Sequence, residues 1–365
     1  MAKKMYVGVN SVARKIASAY VGVNNIARKI TKGYVGVGGI ARQFWPGGVL
    51  TYYGTATPLS VARDNLAAAT IGNYALFGGG SAGSFGLNAV EAYDTSLIRS
   101  TPSTLSLGAG SLAATTVGDY ALFGGGTSMG SASSVSAYDS SLVRTVPTSL
   151  SQARYDLAAT TVGNYALFGG GKPYSAVVDA YDTSLTRSTP TALSQKRGDL
   201  AATTVGNYAL FGGGINNNTQ YAVVDAYDAS LTRSTPTALS QKRSALAATT
   251  VGNYALFGGG DTSGSVVDAY DISLTRSTPT ALSQKRSALA ATTVGNYALF
   301  GGGINNNTQY AVVDAYDAKL IRSIPSELDE ARSSLAATTV SNYALFGGGK
   351  PSSNYSSTVD VYTIS

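Results

Sequence analysis

The stretch Asn207-Tyr208-Ala209-Leu210-Phe211-Gly212-Gly213-Gly214 is the clearest indication of the fold, because it recurs almost unchanged along most of the chain. Its phenylalanine occurs seven times, at Phe77, Phe123, Phe168, Phe211, Phe257, Phe300 and Phe346. Successive copies are 43 to 46 residues apart in a chain of 365 residues. A period of this length predicts one array of repeated units rather than several independent domains.

Around each copy the sequence predicts four short β-strands. In the unit of residues 197–243, residues 200–205 are small or β-branched and suit a crowded inner strand. A Gly-Asn turn leads into a second strand at residues 208–211, and a third is predicted at residues 223–228. An outer segment follows at residues 231–239, where a proline is tolerated at a free edge. Four strands per unit, with no apolar period of 3.6 residues, predict an all-β, seven-bladed β-propeller rather than a helical solenoid.

The repeat resembles that of the kelch family. The family pattern of an arginine before the inner strand, a Gly-Gly pair after the second and a Tyr-Asp in the third appears here as Arg197, Gly212-Gly213 and Tyr227-Asp228. The resemblance covers residues 49–365 and implies a kelch-like β-propeller. The tryptophan that usually follows Tyr-Asp is missing, and a leucine such as Leu231 stands near its place.

The two ends of the repeat region complement each other. The seventh unit stops after its third strand, near residues 358–362, and lacks an outer strand. Residues 50–63 resemble the outer segment of residues 231–243. We therefore expect an N-terminal strand to complete the last blade and close the ring, which removes open sheet edges.

A second repeat, with a period of 14 residues, precedes the propeller. Its copies begin at Tyr6, Tyr20 and Tyr34, and their second arms end at Arg14, Arg28 and Arg42. Turn-forming pairs such as Asn10-Ser11 predict short β-hairpins in which Val9 opposes Val12 and Val7 opposes Arg14. Neither face of such a hairpin can bury a core alone, so the segment is expected to gain order against another chain or as a trimer. A flexible basic leader is the alternative.

The distribution of charged residues also changes between the 14-residue repeats and the propeller repeats. Residues 1–46 carry eight basic side chains and no acid, whereas the remainder holds 18 basic and 20 acidic side chains. Trp45 and the Pro-Gly-Gly that follows it predict a domain boundary, between a basic arm at residues 1–46 and a propeller at residues 47–365. Trp45 is expected to pack at this junction. The arm's charges recur beside apolar residues, so we expect it to bind protein rather than nucleic acid.

Composition excludes several kinds of chemistry. Cysteine and histidine are both absent, which excludes thiolate nucleophiles, disulfides and imidazole bases and removes the commonest transition-metal ligands. No apolar run is long enough for a signal peptide or a membrane span, so neither a cleaved leader nor membrane insertion is expected. We expect no metal and no cofactor.

Charged residues recur around the predicted ring. The arginines are Arg63, Arg154, Arg197, Arg243, Arg286 and Arg332, and the aspartates are Asp179, Asp225, Asp268 and Asp314. Repetition in nearly every blade predicts hydrogen bonds that join blades. A glycosidase needs a unique carboxylate pair, so these copied residues predict that the chain is not an enzyme. The triple glycines are not phosphate loops, because Lys172 and Lys350 are followed by proline and a strand comes next.

The loops after the triple glycines vary in length on a constant scaffold, and such loops are a usual place for recognition. The connections that contain Lys196, Lys242 and Lys285 are expected on the same face. The other candidate binding residues are Asn216, Asn217, Asn218, Gln220, Tyr221, Asn305, Asn306, Asn307, Gln309 and Tyr310. Their amides and rings suit sugars or peptides, although asparagine-rich segments also occur as solvated turns.

The Tyr-Val-Gly-Val-x-x-x-Ala-Arg repeats that end in Phe44-Trp45 resemble leader segments of bacteriophage virion proteins. The resemblance implies a non-enzymatic tail, fibre or capsid-decorating protein located in the virion. Residues 1–46 would bind other virion proteins, with a homo-oligomer as one arrangement, and the propeller loops would bind a host-surface glycan or protein. The alternatives are a carbohydrate-binding adhesin at the cell surface or outside the cell, and an intracellular kelch scaffold.

Overall fold

The computed structural model describes residues 48–261 and 264–364, together with six short strands nearer the N-terminus. The chain divides into two compact units, one of Met1–Thr51 with Ile364–Ser365 and one of Tyr52–Thr363.

In the first unit the six strands form three antiparallel hairpins. The paired strands are Tyr6–Val9 with Val12–Lys15, Tyr20–Val23 with Ile26–Lys29, and Tyr34–Val37 with Ile40–Gln43. Val9 lies opposite Val12, and Val7 lies opposite Arg14, which confirms the predicted register. Trp45, the predicted turn residues and the side chains of the arm's tyrosines and arginines lie outside the described residues.

The rest of the described chain forms seven sheets of four strands and two small two-stranded hairpins, and it contains no helix. The inner strands of blades 1 to 7 are Ala67–Ile71, Ala113–Val117, Ala158–Val162, Ala201–Val205, Ala247–Val251, Ala290–Val294 and Ala336–Val340. The second strands are Tyr74–Gly78, Tyr120–Gly124, Tyr165–Gly169, Tyr208–Gly212, Tyr254–Gly258, Tyr297–Gly301 and Tyr343–Gly347. The third strands are Val90–Asp94, Val135–Asp139, Val178–Tyr181, Val224–Asp228, Val267–Asp271, Val313–Asp317 and Val359–Ile364. The outer strands are Arg99–Ser100, Arg144–Thr145, Arg187–Ser188, Arg233–Ser234, Arg276–Ser277, Arg322–Ser323 and, for blade 7, Leu50–Thr55.

The sheets form a closed ring. Each inner strand contacts the next, and the inner strand of blade 7 contacts that of blade 1. Leu50–Thr55 lies beside Val359–Ile364 as the fourth strand of blade 7. Within that blade, the Tyr52 hydroxyl donates to Asp360 Oδ1 at 2.7 Å, and the Tyr52 ring lies 5.2 Å from that of Tyr362. The seven-bladed propeller and its closure by an N-terminal strand are therefore confirmed.

The repeated Phe-Gly-Gly-Gly is the point where one blade meets the next. A Cβ atom on Gly212 would lie 2.8 Å from Cε1 of Phe257 in the following blade, so only glycine fits there. Phe257 meets Tyr270 edge-on, with ring centroids 6.0 Å apart, and the Tyr270 hydroxyl donates to Thr237 O at 2.7 Å. The equivalent glycine contacts the next blade's phenylalanine at every junction, including that between blades 7 and 1. This packing explains why the sequence repeats so strictly.

A buried ion pair anchors the connection that enters most blades. Arg243 is fully buried, and its guanidinium donates to Asp268 Oδ2 at 2.7 Å and to Phe257 O at 3.1 Å. The Arg243 backbone N–H donates to Tyr221 O of the preceding blade at 3.2 Å. The corresponding pairs are Arg63–Glu91, Arg154–Asp179, Arg197–Asp225, Arg243–Asp268, Arg286–Asp314 and Arg332–Asp360. The Ser240 N–H of the preceding outer segment also donates to Asp268 Oδ1 at 3.0 Å, so these residues join neighbouring blades as predicted. Two of the carboxylates, Glu91 in blade 1 and Asp360 in blade 7, were not among the predicted residues.

Candidate ligand-binding face and axial channel

The variable loops and the connections into the inner strands lie on one face of the propeller. Gly198, in the connection into blade 4, donates its N–H to Ile215 O in the loop of that blade at 2.9 Å. At the other end of this loop, Tyr221 O accepts from the connection into blade 5, at Arg243. The predicted shared face is therefore confirmed, and we call it the loop face.

The two asparagine-rich loops form matching miniature hairpins on the loop face. Ile215–Asn216 pairs with Thr219–Gln220 in blade 4, and Ile304–Asn305 pairs with Thr308–Gln309 in blade 6. The turn residues are Asn217 and Asn218 (φ 44° and 56°) and Asn306 and Asn307 (φ 47° and 61°), all exposed. Asparagine is the side-chain-bearing residue that best tolerates this left-handed backbone, so the hairpin itself explains the sequence. Tyr221 and Tyr310 are half-buried beside the hairpins.

A polar cleft of about 320 Å³ lies on the loop face between blades 5 and 6. It is lined by Gly260, Asp261, Gly264, Lys285, Arg286, Ser287, Ile304, Asn305, Asn306 and Asn307. Of the predicted binding residues, the cleft brings together Lys285 and the three asparagines of blade 6. Gln309 and Tyr310 do not line it, and Lys196, Lys242, Tyr221 and the blade 4 asparagines belong to other junctions. Gln220 donates to Ser244 Oγ at 3.4 Å.

This cleft carries both signs of charge and several neutral hydrogen-bonding groups. Asp261 and Lys285 are exposed, and Ser287 is half-buried. Amide side chains both donate and accept, the lysine ammonium only donates, and the ionised aspartate only accepts. Such a lining suits a ligand with many hydroxyl or peptide groups.

A second cluster, on blades 3 and 4, is absent from the sequence prediction. Lys172 Nζ lies 3.0 Å from Asp156 Oδ2 and 2.6 Å from Asp199 Oδ2, and all three side chains are half-buried. Burial, and then the charge of Asp156, raise the pKa of Asp199, although Lys172 opposes them. Burial lowers the pKa of Lys172, but the two carboxylates outweigh it and raise that pKa. We call these three residues the mouth cluster.

The sequence contains a signal for the mouth cluster in its departure from the repeat. The equivalent positions in the other blades are Asn65, Ser111, Ala245, Ala288 and Ser334. These seven residues form a ring, since each backbone N–H donates to the carbonyl of its counterpart in the preceding blade at 2.8–3.0 Å. The ring surrounds a cavity of about 200 Å³ that is also lined by leucines such as Leu157 and Leu200. Asp156 and Asp199 therefore stand at one end of the propeller axis.

Threonine hydroxyls circle the axis further along the inner strands, and we call this ring the threonine collar. In each blade one threonine contacts a backbone carbonyl of the preceding blade; these are Thr70, Thr116, Thr161, Thr204, Thr250, Thr293 and Thr339. Six further Oγ1–Oγ1 contacts of 2.8–2.9 Å cross the blade junctions: Thr338–Thr70, Thr115–Thr161, Thr160–Thr204, Thr203–Thr250, Thr249–Thr293 and Thr292–Thr339. Ala69 stands where the seventh such contact would begin. The collar lines a cavity of about 350 Å³ together with alanines such as Ala202.

The described part of the chain contains no group of three or more aspartate or glutamate side chains placed to hold a metal ion. No helix among those residues is long and apolar enough to cross a membrane.

No protein-family model and no curated protein matches the sequence. Among solved structures, the fold is similar to that described as "Structure of YjhT", with a TM-score of 0.58 and 12% sequence identity. The match covers 85% of this chain and 97% of that one. At this identity the likeness shows the fold alone.

Proposed function

We propose that the chain is a non-enzymatic recognition component of a bacteriophage particle, built on a kelch-like propeller. Residues 1–46 attach it to other virion proteins, and the loop face of the propeller binds a host-surface glycan or protein. The observation that carries the recognition role is the polar cleft between blades 5 and 6, where Lys285 and Asn305–Asn307 meet. The rigid blades hold these variable loops in place, as recognition requires.

Burial of the repeated charges supports a role without catalysis. Both members of each Arg–carboxylate pair have fully buried side chains, so no substrate reaches them. The unique carboxylates of the mouth cluster are held by Lys172. Single Asp156→Asn and Asp199→Asn variants test this point: loss of a measured glycoside-hydrolysis activity in a folded variant would overturn the non-enzymatic proposal.

The binding role is tested with full-length protein on glycan and peptide arrays. Asn306→Gly/Asn307→Gly removes two amides from the cleft and preserves the left-handed turn, because glycine adopts positive φ freely. We expect at least a tenfold loss of affinity for the captured ligand. The matched control is Asn217→Gly/Asn218→Gly, which makes the same change in the blade 4 hairpin. Equal affinity in both variants, or no ligand on either array, would count against the cleft.

The attachment role is tested separately. Residues 47–365 and the full-length chain are compared for oligomeric state and for incorporation into the parent particle. We expect the shorter protein to be monomeric and to be left out. Equal incorporation of the two proteins would show that residues 1–46 are not the anchor.

A further inference from the structure

The hydrogen bonds of the threonine collar have only one possible direction. A backbone carbonyl cannot donate, so each of the seven threonines that contacts one must give its single hydroxyl proton to it. Thr204, for example, donates to Thr161 O at 2.5 Å. In the contact between Thr160 and Thr204, the proton must therefore come from Thr160. The same reasoning assigns the donor in all six hydroxyl–hydroxyl contacts.

This assignment uses every hydroxyl proton in the collar. The thirteen threonines make seven bonds to carbonyls and six to hydroxyls, which equals one donated bond each. Each hydroxyl has two lone pairs, and at most one is occupied by a neighbouring threonine. Because twelve of these thirteen side chains line the axial cavity, the collar offers it acceptors and no donors. Such a lining favours a cation that carries N–H donors over an anion.

The mouth cluster adds negative charge on the same axis. Its two carboxylates face one ammonium group, so one negative charge remains. Asp199 precedes Thr204 by five residues, a separation of at most about 18 Å along the chain. Leu200 lines the cavity at the mouth cluster, and Ala202 lines the cavity at the threonine collar. The axis therefore presents an acidic cavity at one end and an acceptor-only cavity at the collar, each with apolar side chains in its lining.

We propose that these two cavities join along the propeller axis and together bind a linear polyamine. One terminal ammonium lies at Asp156 and Asp199, the methylene segments pass the leucine and alanine side chains, and a further ammonium donates to the threonine collar. This site is separate from the cleft on the loop face and does not depend on the role proposed for that cleft.

The test is isothermal titration of the full-length chain with spermine at constant ionic strength. We expect saturable binding of one molecule per chain. Tetramethylammonium has charge without N–H donors, and tetraethylene glycol has comparable length without charge; neither should bind. Saturable binding of either control with the affinity of spermine would overturn the proposal.

Four variants locate the site. Lys172→Met removes the resident ammonium and should tighten spermine binding at least threefold, whereas Asp199→Asn should weaken it at least fivefold. Glu327→Gln removes an exposed carboxylate in an outer segment and should leave the affinity unchanged. Thr161→Val/Thr204→Val should weaken binding at least fivefold if the protein folds by circular dichroism. Equal effects of Asp199→Asn and Glu327→Gln would overturn the proposal, as would unchanged affinity in Lys172→Met; both comparisons stand even if the threonine variant does not fold.

Discussion

Ala109 and Ser136 stand together in blade 2 at the positions where each of the other six blades pairs a buried arginine with a carboxylate. The Ser106 N–H donates to Ser136 Oγ at 2.9 Å, just as the Ser240 N–H donates to Asp268 Oδ1 at 3.0 Å in blade 5. The two charges are absent together because one alone would leave a buried charge without a partner, which costs about 3–5 kcal/mol. Blade 2 thus shows that the propeller accepts a blade that lacks both members of the pair.

The first prediction transfers this arrangement to blade 5. Asp268→Ser leaves Arg243 buried without its carboxylate and should lower the free energy of unfolding by about 3–5 kcal/mol. Arg243→Ala/Asp268→Ser copies blade 2 and should be more stable than Asp268→Ser alone. Denaturant titration of both variants measures the difference. If the second substitution instead added a further loss, the pair would not be coupled.

The second prediction concerns closure of the ring. Removing residues 1–57 deletes the outer strand Leu50–Thr55 and exposes the edge of Val359–Ile364. Unpaired strand edges bind one another, so we expect a lower Tm and concentration-dependent association in light scattering. The control lacks only residues 1–47 and keeps the closing strand; it should remain monomeric. Identical behaviour of the two truncations would show that this strand is dispensable.

The third prediction concerns the contact between blades at Gly212. A methyl group there would meet the Phe257 ring at 2.8 Å, and overpacking of this kind costs about 1–3 kcal/mol. Gly212→Ala should therefore lower the Tm. In a protein that already carries Phe257→Leu, Gly212→Ala should lower the Tm by less, because the aromatic ring that the added methyl group would contact is absent. A double-mutant cycle measures the coupling, and strictly additive effects would contradict the contact.

The fourth prediction is a pH dependence at Asp199. Burial, and then Asp156, raise the pKa of Asp199 in the folded state above its ordinary value of 3.8. Between pH 3.8 and the raised pKa, the folded chain therefore binds more protons at Asp199 than the unfolded chain does. The contribution of Asp199 to the free energy of unfolding consequently falls as the pH rises through this range. Asp199→Asn cannot ionise, so it should be more stable than the natural chain at pH 7, with a difference that shrinks towards pH 3. Melting curves across this range measure the effect; a less stable Asn variant at pH 7 would contradict it.

Patterns among residues close in the sequence were sufficient to predict the β-propeller scaffold. Small and β-branched runs, Gly-Asn turns and the recurring Phe-Gly-Gly-Gly predicted the strands, their number per blade and the seven blades. Resemblance of residues 50–63 to an outer segment predicted ring closure, and the turn-forming pairs of the arm predicted the register of Val9 with Val12. These features depend on residues close in sequence, or on a repeat that can be compared with itself.

Relations between blades were decided by the tertiary structure alone. Lys172 meets Asp156 and Asp199 because the loop of blade 3 folds over the starts of two inner strands. Asp261 joins Lys285 and the asparagines of blade 6 in one cleft because neighbouring blades converge at the loop face. The direction of the threonine hydrogen bonds depends on which carbonyl each hydroxyl reaches across a junction. The blade and its sevenfold repetition could be predicted from the sequence, because strand propensity, turns and periodicity depend on residues that are close in the chain. Which side chains from different blades meet could not be predicted, because those distances exist only once all seven blades have closed into a ring.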